Sequence, residues 1–89
     1  MFMPGIAESY YRIAKFEKGG AIQEKLIDIS RGYLEYYSTF SRKQLRRINS
    51  EITYHMRILA NSMQLARDYN QTEIATKAED LFNRFGKVF

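Results

Sequence analysis

The stretch SRKQLRRINSEITYHMRILANSMQLARDYN, residues 41–70, predicts one long amphipathic helix. Its apolar residues recur at intervals of three and four, which places them on one side of a helix with 3.6 residues per turn. They are Leu45, Ile48, Ile52, Met56, Leu59, Met63 and Ala66. Ser41 and Gln44 have the S-x-x-Q spacing of a capping box, so we expect the helix to begin there.

Three further segments repeat the helical spacing. Gly19 and Gly20 are expected to end the first helix. The second helix carries a strict heptad-type stripe, within which Gly32 indicates a close helix crossing or a kink. This stripe consists of Ile22, Leu26, Ile29, Tyr33, Tyr36 and Phe40. Residues 70–73 predict a second capping signal, which ends one helix and begins the next. The last helix has its own stripe, with Val88 folding back after it, and the stripe consists of Ile74, Ala78, Leu81 and Phe85.

These patterns predict an all-α fold, an antiparallel three- to four-helix bundle with one long central helix, as a single helical domain over residues 1–89. The chain has no cysteine and one histidine, so neither disulfides nor a zinc cluster can stabilise it. Its small size therefore favours a homodimer. It shows neither a secretory signal nor a membrane-length apolar run, and we expect a cytoplasmic protein that does not enter a membrane.

The net charge of +4 is concentrated in the middle of the chain. Residues 31–67 carry seven basic side chains against two acidic ones, whereas the rest of the chain has a small negative balance. Four arginines of the long helix share an arc of roughly 80° that contains no acid. Such an asymmetry indicates an anionic partner. The predicted anion-binding or nucleic-acid-binding residues are Arg42, Lys43, Arg46, Arg47, Arg57 and Arg67.

The first four of these cations lie at the predicted N-terminal end of the long helix, where the helix dipole disfavours positive charge. A local violation of this kind is a place to look for function. The alternative is a solvated helix face, or pairing with acids on a neighbouring helix such as Glu24, Asp28 and Glu35.

A second apolar strip on the long helix, and tyrosines that fall outside the stripes of their own helices, predict an interface. The candidate interface residues are Tyr11, Tyr37, Tyr54, Ile58 and Leu65. Tyr33 and Tyr36 lie on the stripe of the second helix and are expected in the core.

No spacing typical of catalytic, metal-binding or cofactor-binding residues occurs, and we expect no enzyme activity, metal or cofactor. His55 is expected to be a packing residue. Residues 45–52 resemble the first helix of small all-helical chorismate mutases, but the resemblance covers about one helix and places no other active-site residue. Two hypotheses follow: an accessory or regulatory protein that binds DNA or RNA through backbone contacts, or an adaptor or immunity-type inhibitor that binds an acidic protein surface.

Overall fold

The computed structural model describes residues 3–88, with side chains from residue 5 onward. Within these residues the chain forms five α-helices and no β-strand. They are α1 (Met3–Arg12), α2 (Phe16–Tyr37), α3 (Arg42–Arg47), α4 (Asn49–Asp68) and α5 (Thr72–Gly86). The all-α prediction is confirmed, with five helices in the described part of the chain instead of three or four. Residues 1, 2 and 89 of the predicted domain lie outside the described residues.

Two helical hairpins form the bundle, which measures 46 × 24 × 16 Å. Short turns connect α1 to α2 and α4 to α5, so the helices of each pair run antiparallel. α2 also packs against α5 and α4, and α3 packs against α4. Ile52 and Leu59 of α4 are completely buried, which confirms the centre of the predicted stripe. The predicted stripe of α5 is also confirmed, because Ile74, Ala78, Leu81 and Phe85 are buried.

The stretch 41–70 is not one continuous helix, because the chain bends at Ile48. Its backbone has φ −106° and ψ 20°, and its N–H is shared between the carbonyl groups of Gln44 and Leu45. Asn49 and Ser50 follow, and their side chains compete with the helical backbone for hydrogen bonds. The bend separates α3 from the 20-residue α4, and Leu45 of α3 is buried in the main core.

The predicted boundary between the first two helices is wrong. α1 ends at Arg12, Ala14 reverses the chain with φ 62°, and α2 runs through both glycines. A Cβ added at Gly19 would lie 2.5 Å from Cε1 of Tyr11 and 3.0 Å from the carbonyl oxygen of Ala7. Gly19 therefore serves the close packing of α1 on α2 and does not end a helix.

The buried face of α2 also differs from the predicted one. Ile29, Tyr33 and Tyr36 are exposed at 44%, 45% and 59% of their surfaces. The residues buried instead are Gly19, Gly20, Gln23, Ile27, Ser30, Leu34 and Tyr37. These residues also recur at helical spacing. Because the glycines, Gln23 and Ser30 are not apolar side chains, the apolar pattern of the sequence did not indicate this face. The polar members are buried at low cost only where they are hydrogen-bonded.

One buried hydrogen-bond network joins three helices. The hydroxyl of Tyr11 on α1 donates to Oε1 of Gln23 on α2 at 2.5 Å. Nε2 of Gln23 donates to the carbonyl oxygen and to Oγ of Ser62 on α4, at 2.9 and 3.0 Å. In the described residues no buried side-chain nitrogen or oxygen lacks a hydrogen-bond partner.

The sequence makes a prediction for each end of α5. The signal over 70–73 correctly predicts that one helix ends and the next begins there, because Asn70 follows α4 in the left-handed conformation with φ 58° and α5 begins at Thr72. Gln71 precedes α5 without a side-chain capping bond. Val88 packs against the main core as predicted. None of the helices in the described residues combines the length and hydrophobicity that a membrane crossing requires.

Candidate nucleic-acid interface

The short helix α3 is fixed at its start by the predicted capping box. The backbone N–H of Gln44 donates to Oγ of Ser41 at 3.3 Å, and the backbone N–H of Ser41 donates to Oε1 of Gln44 at 2.8 Å. Leu45 is 8% exposed and anchors the helix to the core. These contacts hold α3 against the bundle and leave its other side chains in solvent.

The outer surface of α3 is strongly basic. Arg42, Lys43, Arg46 and Arg47 are all exposed and span an arc of about 140° around the helix axis. In the described part of the chain none of the four is in ion-pair contact with a carboxylate. Arg42 and Arg46 also line a small cleft of about 90 Å³ together with Leu45 and Val88. The arrangement offers four cationic donors to one extended anion.

The structure does not bring the remaining predicted cations into this group. Arg57 is exposed on α4, beyond the bend at Ile48. Arg67 is near the C-terminal end of α4, and its Nη2 lies 2.6 Å from Oε2 of Glu79 on α5. The predicted stripe is therefore divided between two helices, and one of its arginines already has an acidic partner.

The predicted interface residues lie in different environments. Tyr11, Tyr37 and Leu65 are 2%, 3% and 8% exposed and are used in packing within the chain. α1 covers the part of α4 that carries Leu65, because Leu65 clusters with Ala7 and Tyr11. Ile58 is partly buried, and Tyr54 is 50% exposed.

His55 lies in an aromatic cluster beside a shallow depression. Its ring stacks on Phe85 with centroids 5.7 Å apart, and Tyr33 lies 4.7 Å away. Burial lowers the pKa of His55, while the nearby Glu51 acts in the opposite direction. The depression has a volume of about 430 Å³ and is lined by Tyr33, Tyr37, Ser50, Glu51, Tyr54 and His55.

The hydroxyl of Tyr37 lies beside two polar side chains of this cluster. It donates to Oε2 of Glu51 at 3.3 Å and lies 3.5 Å from Nε2 of His55. Burial, and then the charge of Glu51, raise the pKa of Tyr37, so its hydroxyl stays protonated at neutral pH and acts as a donor. Among the described residues, no three His, Cys, Asp or Glu side chains come together as metal ligands.

Sequence reasoning found the cations of α3 but missed the exposed tyrosines Tyr33 and Tyr36. The heptad-type spacing placed them correctly on one face of α2. It could not show that a second face, containing two glycines, Gln23 and Ser30, would be the buried one. Comparison of the chain with protein-family models, with curated proteins and with solved structures gives no match.

Proposed function

We propose that this protein binds nucleic acid through phosphate contacts made by the exposed cations of α3. The observation that carries the proposal is the concentration of Arg42, Lys43, Arg46 and Arg47 on one six-residue helix, where all four are exposed and none is in ion-pair contact with a carboxylate in the described residues. Guanidinium groups donate two parallel hydrogen bonds to phosphate, and this contact does not depend on base sequence.

The charge pattern of the rest of the surface supports this assignment. Elsewhere in the described residues several cations are neutralised, because Arg12, Arg31, Arg67 and Lys77 each contact a carboxylate. Arg57 on α4 is also exposed and contacts no carboxylate in the described part of the chain. A nonspecific accessory or regulatory role fits this surface better than sequence reading, because α3 is too short to follow the major groove as a recognition helix does.

The test is a titration of labelled single-stranded and duplex oligonucleotides at two salt concentrations. The double variant Arg42→Gln/Arg46→Gln is expected to bind more weakly, about equally for unrelated sequences. Its log–log salt dependence should flatten by about 0.9 per lost duplex phosphate contact, or about 0.7 on a single strand.

The matched control is Arg12→Gln/Arg31→Gln, which removes the same charge from two arginines that contact acids. This control should bind almost as the unaltered protein does. Equal losses in both double variants would overturn the assignment to α3. If the unaltered protein binds no oligonucleotide at low salt but binds a poly-glutamate peptide through the same arginines, the adaptor hypothesis replaces the proposal.

The homodimer stays a prediction. Of the residues predicted to form it, Tyr54 and Ile58 keep surface that a second copy could contact. Sedimentation at micromolar concentration tests it, because a dimer has twice the chain mass.

A further inference from the structure

Three half-exposed tyrosines form an outer aromatic face on the bundle. Tyr33 and Tyr36 lie one turn apart on α2 and are 45% and 59% exposed. Tyr54 of α4 is 50% exposed and lines the 430 Å³ depression together with Tyr33. The packing of this chain leaves these rings in water, although each could bury a large area against a partner.

Tyr33 separates two neighbouring depressions on this face. One is the 430 Å³ depression beside Tyr54, and the other, of about 280 Å³, is lined by Ile29, Gly32, Tyr33 and Tyr36. A Cβ added at Gly32 would meet nothing within 4 Å, so packing within the chain does not require this glycine. Glycine inside a helix costs roughly 1 kcal/mol relative to alanine. Here it leaves bare backbone where a flat ligand can approach between Ile29 and Tyr36.

Positive charge lies at both ends of the outer aromatic face. The ring of Phe40 is 4.9 Å from that of Tyr36, and the cations of α3 begin two residues later at Arg42. Lys25 lies one turn before Ile29 on α2; it is exposed and has no ion-pair contact in the described residues. The acid in the larger depression, Glu51, is bonded to Tyr37. A carboxylate in that position suits the exocyclic amines of a base and disfavours a phosphate.

We propose that the outer aromatic face stacks the unpaired bases of a single-stranded nucleic acid whose phosphates contact α3. This inference rests on the proposed function and specifies its ligand class. Aromatic side chains beside cations are the usual means of binding single strands, because every base has a face on which a ring can stack. In a duplex the bases are already stacked and paired, so the face would add nothing to duplex affinity.

A second copy of the chain is the competing occupant of this face. The apolar seam of a helix dimer is usually built from Ile, Val or Leu, whereas this face is formed by three tyrosines whose hydroxyl groups need water or a partner. The positive charge at both ends suits a polyanion better than a second positively charged copy.

The experiment compares a labelled oligodeoxycytidylate of about 15 nucleotides, whose bases carry exocyclic amines and whose length is near the upper end of known single-strand site sizes, with a duplex of the same length. The variants Tyr36→Leu and Tyr54→Leu keep an apolar side chain and remove the ring. Phe16→Leu is the matched control, since Phe16 is 44% exposed and lies away from the outer aromatic face. Because the chain has seven tyrosines and no tryptophan, quenching of tyrosine fluorescence reports stacking directly.

Each tyrosine variant is expected to lose about 5- to 150-fold in single-strand affinity, the range measured for one base–aromatic stack. Duplex affinity should be unchanged, and Phe16→Leu should behave as the unaltered protein does. The inference would be overturned if single strand and duplex bound equally and the leucine variants had no effect. The proposed function would still stand in that case if Arg42→Gln/Arg46→Gln weakened binding to both. No binding of either oligonucleotide would remove both. A dimer that Ile29→Glu dissociates and Ile13→Glu does not would assign the face to a second copy.

Discussion

The ring of Tyr11 lies directly against the bare backbone of Gly19, and this contact sets the distance between α1 and α2. Tyr11 is only 2% exposed, and its hydroxyl donates to Gln23 on the same face of α2. The ring therefore cannot turn aside to admit a larger residue at position 19. Tyr11 therefore joins the two helices of the first hairpin in two ways, because its ring packs against Gly19 and its hydroxyl donates to Gln23.

Gly19→Ala is expected to destabilise the protein by about 1–3 kcal/mol, because the added methyl overpacks against Tyr11 and the carbonyl oxygen of Ala7. The helix preference of alanine opposes this loss but does not exceed it. The control is Gly5→Ala in α1, where an added Cβ meets nothing within 4 Å and stability should be unchanged or slightly raised. Urea denaturation measures both. If Gly19→Ala were as stable as the control, the two helices would not be in the close contact described.

Tyr11→Phe is expected to cost about 1–3 kcal/mol, because it leaves the buried Oε1 of Gln23 without a donor. Tyr10→Phe is the control, since the hydroxyl of Tyr10 has no hydrogen-bond partner in the described residues. Chemical denaturation of the two variants gives the difference. Equal stabilities would show that the network does not contribute to the fold.

Sequence patterning predicted the helices well where apolar residues alone form the buried face. Ile52 and Leu59 on α4, and Phe85 on α5, lie in the core as expected. It failed on α2, where two stripes at the same spacing compete and the middle of the more apolar one, Ile29, Tyr33 and Tyr36, is exposed. Burial of the other stripe depends on Gln23 meeting Tyr11 and Ser62, which are distant in sequence. Such long-range hydrogen bonds leave no local pattern.

The candidate site was predictable only in part, for a related reason. The cations of α3 form a local cluster, so composition and spacing revealed them. The bend at Ile48 and the ion pair between Arg67 and Glu79 depend on how the helices pack. The bend divides the predicted arginine stripe between two helices, and the ion pair gives one of its arginines an acidic partner. Tyr33 and Tyr36 are exposed because the other face of α2 is buried. The spacing of apolar residues in the sequence did not show which of the two faces would be buried.

Ile52→Ala and Leu59→Ala are each expected to cost about 2–5 kcal/mol, because both side chains are 0% exposed in the main core. For a domain of this size that is a large share of its stability. Ile13→Ala removes the same atoms as Ile52→Ala from a side chain that is 61% exposed, and its effect should stay within about 0.5 kcal/mol. Thermal and urea denaturation measure all three. A loss at Ile52 no larger than at Ile13 would contradict the described core.

Ala14→Gly is expected to stabilise the protein by about 0.5–1 kcal/mol. Ala14 has φ 62°, a conformation that costs an L-residue about 1–2 kcal/mol, and glycine avoids that cost at the expense of some unfolded-state entropy. Ala21→Gly makes the same change at an exposed position inside α2 and should instead destabilise by roughly 1 kcal/mol. Opposite signs in the two variants, measured by urea denaturation, are the expected outcome. Destabilisation by both would show that Ala14 does not adopt the left-handed conformation in solution.

The stability of the protein is expected to depend on pH through His55. Burial lowers the pKa of His55 below its ordinary value of 6.5, so below that pH the unfolded chain binds a proton that the folded chain resists. The stability associated with neutral His55 is therefore complete above pH 6.5 and is lost as the pH falls through that value towards the lower, folded-state pKa. Glu51 favours the charged imidazole and limits the loss.

His55→Phe keeps an aromatic ring between Phe85 and Tyr33 and removes the titrating group. The unfolding free energy of the unaltered protein should fall more steeply than that of the variant between about pH 7.5 and about pH 5, from about one unit above to about 1.5 units below the ordinary histidine pKa. Titration of the His55 ring protons by NMR gives the folded-state pKa directly. Parallel pH profiles for the two proteins, or a measured pKa at or above the ordinary value, would show that burial of the imidazole does not outweigh the charge of Glu51.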